Sequence, residues 1–197
     1  GLGLDLNKYA DLTSDLLFNQ DLPTTVTSSK SRFSLGSDAG TSEIMQTAIG
    51  QGKTLVSPYH MMLISAAIAN DGVLMKPYVI DRVENDEGTV VKNFKASEYG
   101  RLMSEDEAAI LRQLMTDVVQ EGTASKLKGL SYTAAGKTGS AEYNNVKGDS
   151  HAWFTGFAPA EDPEVCVTII VEGAGSGGDY AVPIARRIFD AYFSEKQ

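Results

Sequence analysis

Three stretches in the last third of the chain read as strands: Ala135 to Tyr143, Ala152 to Ala158 and Glu164 to Glu172. The second and third are joined by Pro159-Ala160-Glu161-Asp162-Pro163, a tight turn. The third is nearly continuous Val and Ile, the composition of a buried strand. Helical segments precede and follow the group. Adjacent strands bracketed by helices imply an α+β fold, an antiparallel sheet flanked by helices.

The first of these strands carries Ala135-Gly136-Lys137-Thr138-Gly139-Ser140-Ala141-Glu142. Lys137 sets a fixed positive charge beside two hydroxyls, Thr138 and Ser140. Gly139 has no Cβ, so a ligand can lie against the backbone there. The combination suits a carboxylate-bearing ligand on a strand edge. A phosphate loop is the competing reading of Gly136-Lys137-Thr138, but that motif needs a glycine where Ser131 stands, and it must run into a helix. On the tripeptide alone, an ordinary strand with an exposed lysine would be the simpler reading.

The rest of the chain frames that strand. Asp5 to Leu17 has helical spacing with Asp5 as N-cap. Asn19 to Gly40 is a polar surface loop, and Thr41 to Ala48 forms one or two helical turns. Ser57-Pro58 opens an apolar helix running to about Asn70, which Gly72 terminates. Val79 to Glu84 and Thr89 to Phe94 flank Asn85-Asp86-Glu87-Gly88, so residues 79–94 read as a β-hairpin excursion. Ser104 and Glu107 form a capping box. The helix that follows places Ile110, Leu111, Leu114, Met115, Val118 and Val119 on one side and stops at Gly122. Gly173 to Gly178 is a flexible glycine loop. Tyr180 to Phe193 is a closing helix with Ile184, Ile188, Phe189 and Tyr192 inward.

Charge and composition exclude several functions. Against 26 acidic residues stand 17 basic ones, a net charge of −9, which argues against nucleic acid. A single cysteine, Cys166, permits no internal disulfide and reads as a small core residue. His60 and His151 have no ligand cluster near them, so neither a metal nor another cofactor is expected. The longest apolar run, around Met61 to Ala69, is far short of the roughly 20 residues that cross a bilayer. The chain opens on Gly1-Leu2-Gly3-Leu4 without an initiator methionine or a leader, and is expected to be a piece of a longer protein.

The order of short motifs is specific. Ile49-Gly50-Gln51-Gly52 precedes Ser57-Pro58; then come Ala67-Ile68-Ala69-Asn70-Asp71-Gly72 and Glu121-Gly122-Thr123-Ala124. The lysine strand, His151-Ala152-Trp153-Phe154-Thr155-Gly156-Phe157-Ala158-Pro159 and Gly177-Gly178-Asp179-Tyr180-Ala181-Val182-Pro183-Ile184 complete the series. Over nearly its whole length the chain resembles the transpeptidase domain of penicillin-binding proteins, most closely the class B D,D-transpeptidases.

That resemblance implies a serine β-lactamase-like fold and a serine acyl-enzyme that cross-links peptidoglycan stem peptides and is trapped by β-lactams. It implies an extracytoplasmic site on the bacterial cell membrane for the parent protein. It gives Lys137, Thr138, Gly139 and Ser140 the role of binding the substrate's terminal carboxylate, with Lys137 near the proton relay and the Ser140 backbone N–H as one oxyanion-hole donor. Of the family's three motifs, only Lys-Thr-Gly is present. No Ser-x-Asn occurs. The one Ser-x-x-Lys, Ser125-Lys126-Leu127-Lys128, ends nine residues before Lys137 and reads as surface loop. The chain is therefore expected to be the C-terminal part of one such domain, holding the last three of five strands and lacking the nucleophile. Its partner would be the missing part of the domain, or another copy of itself. Around the site, Thr123 borders the cleft, Gln51 reads as a residue that braces backbone, and Ser176 is a further candidate. Trp153 and Phe154 could line the cleft, with core packing the favoured reading. A non-catalytic β-lactam sensor or scaffold of the same fold is the alternative function.

Overall fold

The computed structural model describes residues 5–36, 38–144, 146 and 148–196. The chain begins with helices α1 (Leu6–Asp15), α2 (Thr41–Ala48) and α3 (Pro58–Ala69). Strands β1 (Val73–Met75), β2 (Arg82–Glu84), β3 (Val90–Asn93) and β4 (Glu98–Arg101) follow. Helix α4 (Glu105–Gln120), strands β5 (Ala135–Glu142), β6 (Ser150–Ala158) and β7 (Val165–Val171), and helix α5 (Val182–Ser194) complete it. β5, β6 and β7 form one antiparallel sheet in that order.

The helices start where the sequence supplies caps. Asp5 Oδ1 accepts from the backbone N–H groups of Asn7 and Lys8 at 3.0 and 3.2 Å. Ser57 Oγ accepts from the His60 N–H at 3.2 Å, and Pro58 occupies the first turn, where no N–H is needed. At α4 the capping box closes in both directions. Ser104 Oγ accepts from the Glu107 N–H, and the Glu107 carboxylate accepts from the Ser104 N–H at 2.8 Å.

Strand alternation divides the core in two. On one face of the sheet Ala135 and Phe157 pack against Ile64 and Ile68 of α3 and Met115 of α4. On the other, Ala152, Phe154 and Ala158 pack against Val182, Ala185 and Phe189 of α5, with Val119 of α4 and Leu127. Phe154, Phe157 and Phe189 are fully buried. Truncating any one to alanine is worth about 3–5 kcal/mol. α3 is apolar round most of its girth because it is enclosed on most sides, with His60, Leu63, Ile64, Ser65, Ala67 and Ile68 all buried.

Three expectations are corrected here, and one small sheet was not foreseen. β7 is half-buried along its whole length rather than buried. Among the described residues β6 is its only ladder partner, so its outer edge is uncovered. On α4, Met115 and Val119 face inward with Ala108, but Ile110 and Leu114 point outward, 61% and 55% exposed. On α5 the inner residues are Val182, Ala185 and Phe189, while Ile184 and Ile188 are exposed. Each helix's apolar stripe is wider than the surface that the sheet offers it. Finally, β1 and β4 form a two-stranded sheet that the sequence pattern does not announce, three and four residues long. The β2–β3 hairpin does form, with Asn85 Oδ1 accepting from the Glu87 and Thr89 N–H groups to hold its turn. No helix among the described residues is long and apolar enough to cross a membrane.

Candidate active site

Among the described residues β5 is an edge strand, and its free edge forms one wall of a cleft of about 260 Å³. Lys137, Thr138, Gly139, Ser140 and Ala141 line that wall. Trp153 and Thr155 of β6 form the floor with Phe154. Met61 of α3 and the turn after α2, Ile49, Gly50 and Gln51, close the far side. Lys137 is exposed and turned into this cleft, not into the packed interior.

The two faces of β5 are chemically distinct. Register pairs Lys137 with Thr155 and Gly139 with Trp153, so Lys137 and Gly139 lie on the α3 side. Thr138 and Ser140, paired with Phe154 and Ala152, lie on the α5 side. There the Thr138 hydroxyl lies 2.5 Å from that of Thr123, and Ser140 Oγ accepts from the Gly177 N–H at 3.4 Å. Three hydroxyls thus gather under the Gly177 turn, with the lysine ammonium on the opposite face. A carboxylate at the strand edge could take hydrogen bonds from the hydroxyls and feel the lysine's charge.

Backbone direction adds a further donor. The Ser140 carbonyl accepts from Gln51 Nε2 at 3.3 Å and the Thr138 carbonyl accepts from Lys137 Nζ at 2.7 Å, both away from β6. In an antiparallel ladder a residue's N–H and C=O point the same way. The Ser140 N–H therefore also points outward, into the cleft.

The structure brings most of the sequence-derived candidates together. Thr123 borders Thr138 as expected, and Gln51 braces backbone, at Ser140. Phe154 is core, but Trp153 is only half-buried and lines the cleft, a correction set by strand alternation: residue 153 faces the α3 side, which the cleft leaves partly open. Ser176 is exposed, and its carbonyl accepts from the Asp179 and Tyr180 N–H groups, shaping the turn over the site. The glycine loop is not loose throughout. Gly177 to Ala181 form a π-helical turn, with Gly177 buried against β5 and β6. Ser125 sits exposed in a 3₁₀ turn. Lys128 Nζ donates to the Gln120 carbonyl at 3.1 Å, and Lys126 pairs with Asp179 at 2.9 Å, so neither lysine is held at Ser125. Met61 and Ile49 were not foreseen as cleft residues; nothing in an apolar helix or turn marks which side chain will face a cavity.

The chain is similar to known proteins in sequence and in fold. Residues 3–190 match the penicillin binding protein transpeptidase domain. The peptidoglycan D,D-transpeptidase PbpA of Mycolicibacterium smegmatis is 32% identical over 156 residues, covering 76% of this chain and 32% of that protein. MrdA of Acinetobacter baumannii, also a peptidoglycan D,D-transpeptidase, is 28% identical over 161 residues, covering 75% and 24%. The chain thus spans a third or less of these relatives' length. Among solved structures, penicillin-binding protein A of M. tuberculosis, as its imipenem acyl-enzyme complex, superposes with a TM-score of 0.80 at 26% identity, over 92% of this chain and 41% of that one. The D,D-transpeptidase domain of an Eggerthella lenta peptidoglycan glycosyltransferase gives 0.80 at 26% identity, over 96% and 48%.

Proposed function

We propose, for a chain that belongs to the penicillin-binding protein transpeptidase family, that it forms the substrate-gripping half of a serine D,D-transpeptidase site. The parent protein would cross-link peptidoglycan stem peptides on the outer side of the cell membrane. Its nucleophile would come from a segment that precedes these residues in the same domain. The observation that carries this reading is the free edge of β5. There Lys137, the Thr138 and Ser140 hydroxyls and an outward Ser140 N–H converge on one cleft.

Each group has a distinct task. The hydroxyls of Thr138 and Ser140 hold the donor peptide's terminal carboxylate, with Thr123 fixing the Thr138 hydroxyl. Lys137 favours that anion and stands beside the path of the nucleophile's proton. When the serine attacks the carbonyl between the two terminal D-alanines, the carbonyl oxygen gains charge and the Ser140 N–H stabilises it. D-alanine then leaves, an acyl-enzyme remains, and the amine of a neighbouring stem resolves it. A β-lactam follows the first half of that path and stops at the acyl-enzyme. The outward apolar face of α4 and the open edge of β7 are where the remainder of the domain, or a second copy, would pack.

The test is covalent labelling by a fluorescent penicillin, read by intact mass. The 197-residue chain alone is expected to give no adduct, because neither lysine near Ser125 is poised to activate it. A longer protein that adds the upstream segment is expected to give one adduct per molecule, lost on Lys137→Ala. Stoichiometric acylation of Ser125 in the chain alone would overturn the assignment.

A further inference from the structure

Two successive outward carbonyls of the site strand, one on either side of Gly139, are held by side chains of this chain. Lys137 Nζ holds the Thr138 carbonyl at 2.7 Å, and Gln51 Nε2 holds the Ser140 carbonyl at 3.3 Å. These carbonyls belong to the 138–139 and 140–141 peptide units. Between them lies the 139–140 unit, which carries the Ser140 N–H. Gly139 leaves that unit freer to rotate than any residue with a Cβ would. Among the described residues β5 is also laddered on one side only, so no neighbouring strand there restrains its outer groups.

Gln51 is presented for this contact by its own backbone. The turn that ends α2 is closed by hydrogen bonds from Ile49 N–H to the Gln46 carbonyl (3.2 Å), Gly50 N–H to the Thr47 carbonyl (3.0 Å) and Gln51 N–H to the Gln46 carbonyl (2.8 Å). From that fixed point the side chain crosses the cleft to a strand 89 residues further on. The two holders are not equivalent. Lys137 is charged, and an anionic ligand competes for its ammonium. Gln51 is neutral, so an anionic ligand competes less for its amide.

We infer that Gln51 is a positioning residue: by holding the Ser140 carbonyl it fixes the pitch of β5's outer edge, and with it the direction of the Ser140 N–H. The inference rests on the oxyanion role proposed above for that N–H. Gln51 touches no reacting atom; it acts through the strand.

Two variants separate this role from simple packing. Gln51→Ala removes the donor. Gln51→Glu keeps the shape, but at neutral pH its carboxylate only accepts, so it repels the Ser140 carbonyl. In amide NMR spectra of the ¹⁵N-labelled chain, both variants are expected to shift and broaden Gly139, Ser140 and Ala141, with Val167 and Ile169 of β7 unmoved. Glu should disturb them at least as much as Ala. Unchanged Ser140 and Ala141 amides, or a Glu variant milder than Ala, would overturn the inference. In the longer acylating protein, the covalent step with penicillin should slow by about 10- to 100-fold in both variants, the cost of a small misplacement of a catalytic group. The preceding non-covalent complex should be little changed; a loss confined to that complex would also overturn the role. If the unsubstituted longer protein forms no adduct, the transpeptidase reading fails, and the amide spectra still decide what Gln51 does to β5.

Discussion

Gly177 lies so close over Gly139 that a Cβ at 177 would stand 2.5 Å from the Gly139 carbonyl oxygen and 2.3 Å from that of Trp153. Both obstacles are backbone, so neither can swing aside. The π-helical turn therefore rests directly on the β5–β6 ladder, and its N–H reaches Ser140 Oγ. Gly177→Ala is expected to lift the turn from the strand and cost about 1–3 kcal/mol, the usual range for overpacking. Urea unfolding of the two chains measures it. The Gly139 and Trp153 amide resonances should move with it.

A second close arrangement lies beneath the cleft floor. Thr155 Oγ1 is 2.6 Å from Ser65 Oγ on α3 and 2.5 Å from Thr168 Oγ1 on β7, so three hydroxyls link helix and sheet through the core. Ser65 and Thr155 are both buried. Thr155→Val keeps the shape and strands both neighbours, which should cost about 1–3 kcal/mol. Ser65→Ala should cost less, since Thr155 retains Thr168. The two losses should not add in the double variant, because they share one network. Denaturation midpoints for the three variants test the ordering; equal and additive losses would show that the hydroxyls act separately.

The residues that decided their own structure locally were legible in the sequence. Asp5, Ser57-Pro58 and Ser104 with Glu107 each cap a helix within a few residues of themselves, and each does so here. Lys137 to Ser140 could be read as a site strand because their chemistry is concentrated in four consecutive positions. What escaped depends on tertiary placement. Ile110, Leu114, Ile184 and Ile188 satisfy helical periodicity, but periodicity says only that a face is apolar, not that something covers it. β1 and β4 are too short to carry a period of two, and they exist because Gly72 turns the chain back and the Leu102 N–H bonds its carbonyl at 2.8 Å. The contact between Gln51 and Ser140 joins positions 89 residues apart, beyond any local pattern.

His60 gives the chain a pH dependence with a definite sign. The ring is fully buried. Its Nε2 lies 2.7 Å from the Leu16 carbonyl, and Nδ1 has no partner among the described residues. The neutral tautomer that donates from Nε2 fits; the charged form adds an unpartnered N–H in the core. Burial therefore holds its pKa below the ordinary 6.5, outweighing the Leu16 bond that acts the other way. Below 6.5 the unfolded chain binds a proton that the folded chain refuses, so stability falls as pH drops, until the folded group titrates. Urea midpoints measured from pH 8 down to 5 should decline, and the decline should flatten in His60→Gln.

Cys166 should be a slow thiol. Burial pushes its pKa up to about 12, and its Sγ points at the Met62 carbonyl, 3.7 Å away. The thiolate is the reactive form, so alkylation of the folded chain at neutral pH should lag far behind the denatured chain. Mass spectrometry over a time course reads the difference; equal rates would mean that β7 opens readily.

The outward side of α4 offers a test of how the chain keeps its apolar surface from water. Ile110 and Leu114 stand one helical turn apart and are mostly exposed, and Leu111 beside them is partly so. Across from them, Leu12 of α1 is also exposed, and Leu12, Leu16, Leu102, Ile110 and Leu111 line one groove. An exposed apolar cluster of this kind marks a surface made to be covered. Because these side chains bury little within the chain, replacing Ile110 and Leu114 together by lysine should change the melting midpoint little, within about 0.5 kcal/mol for surface positions. The same double variant should lower the mass seen by light scattering at high protein concentration, if copies cover one another's grooves. It should also weaken association with the upstream part of the domain, if that part is the natural cover. A double variant that melts much earlier would show that Ile110 and Leu114 support the fold of α4 from within the chain, and that no partner is needed there.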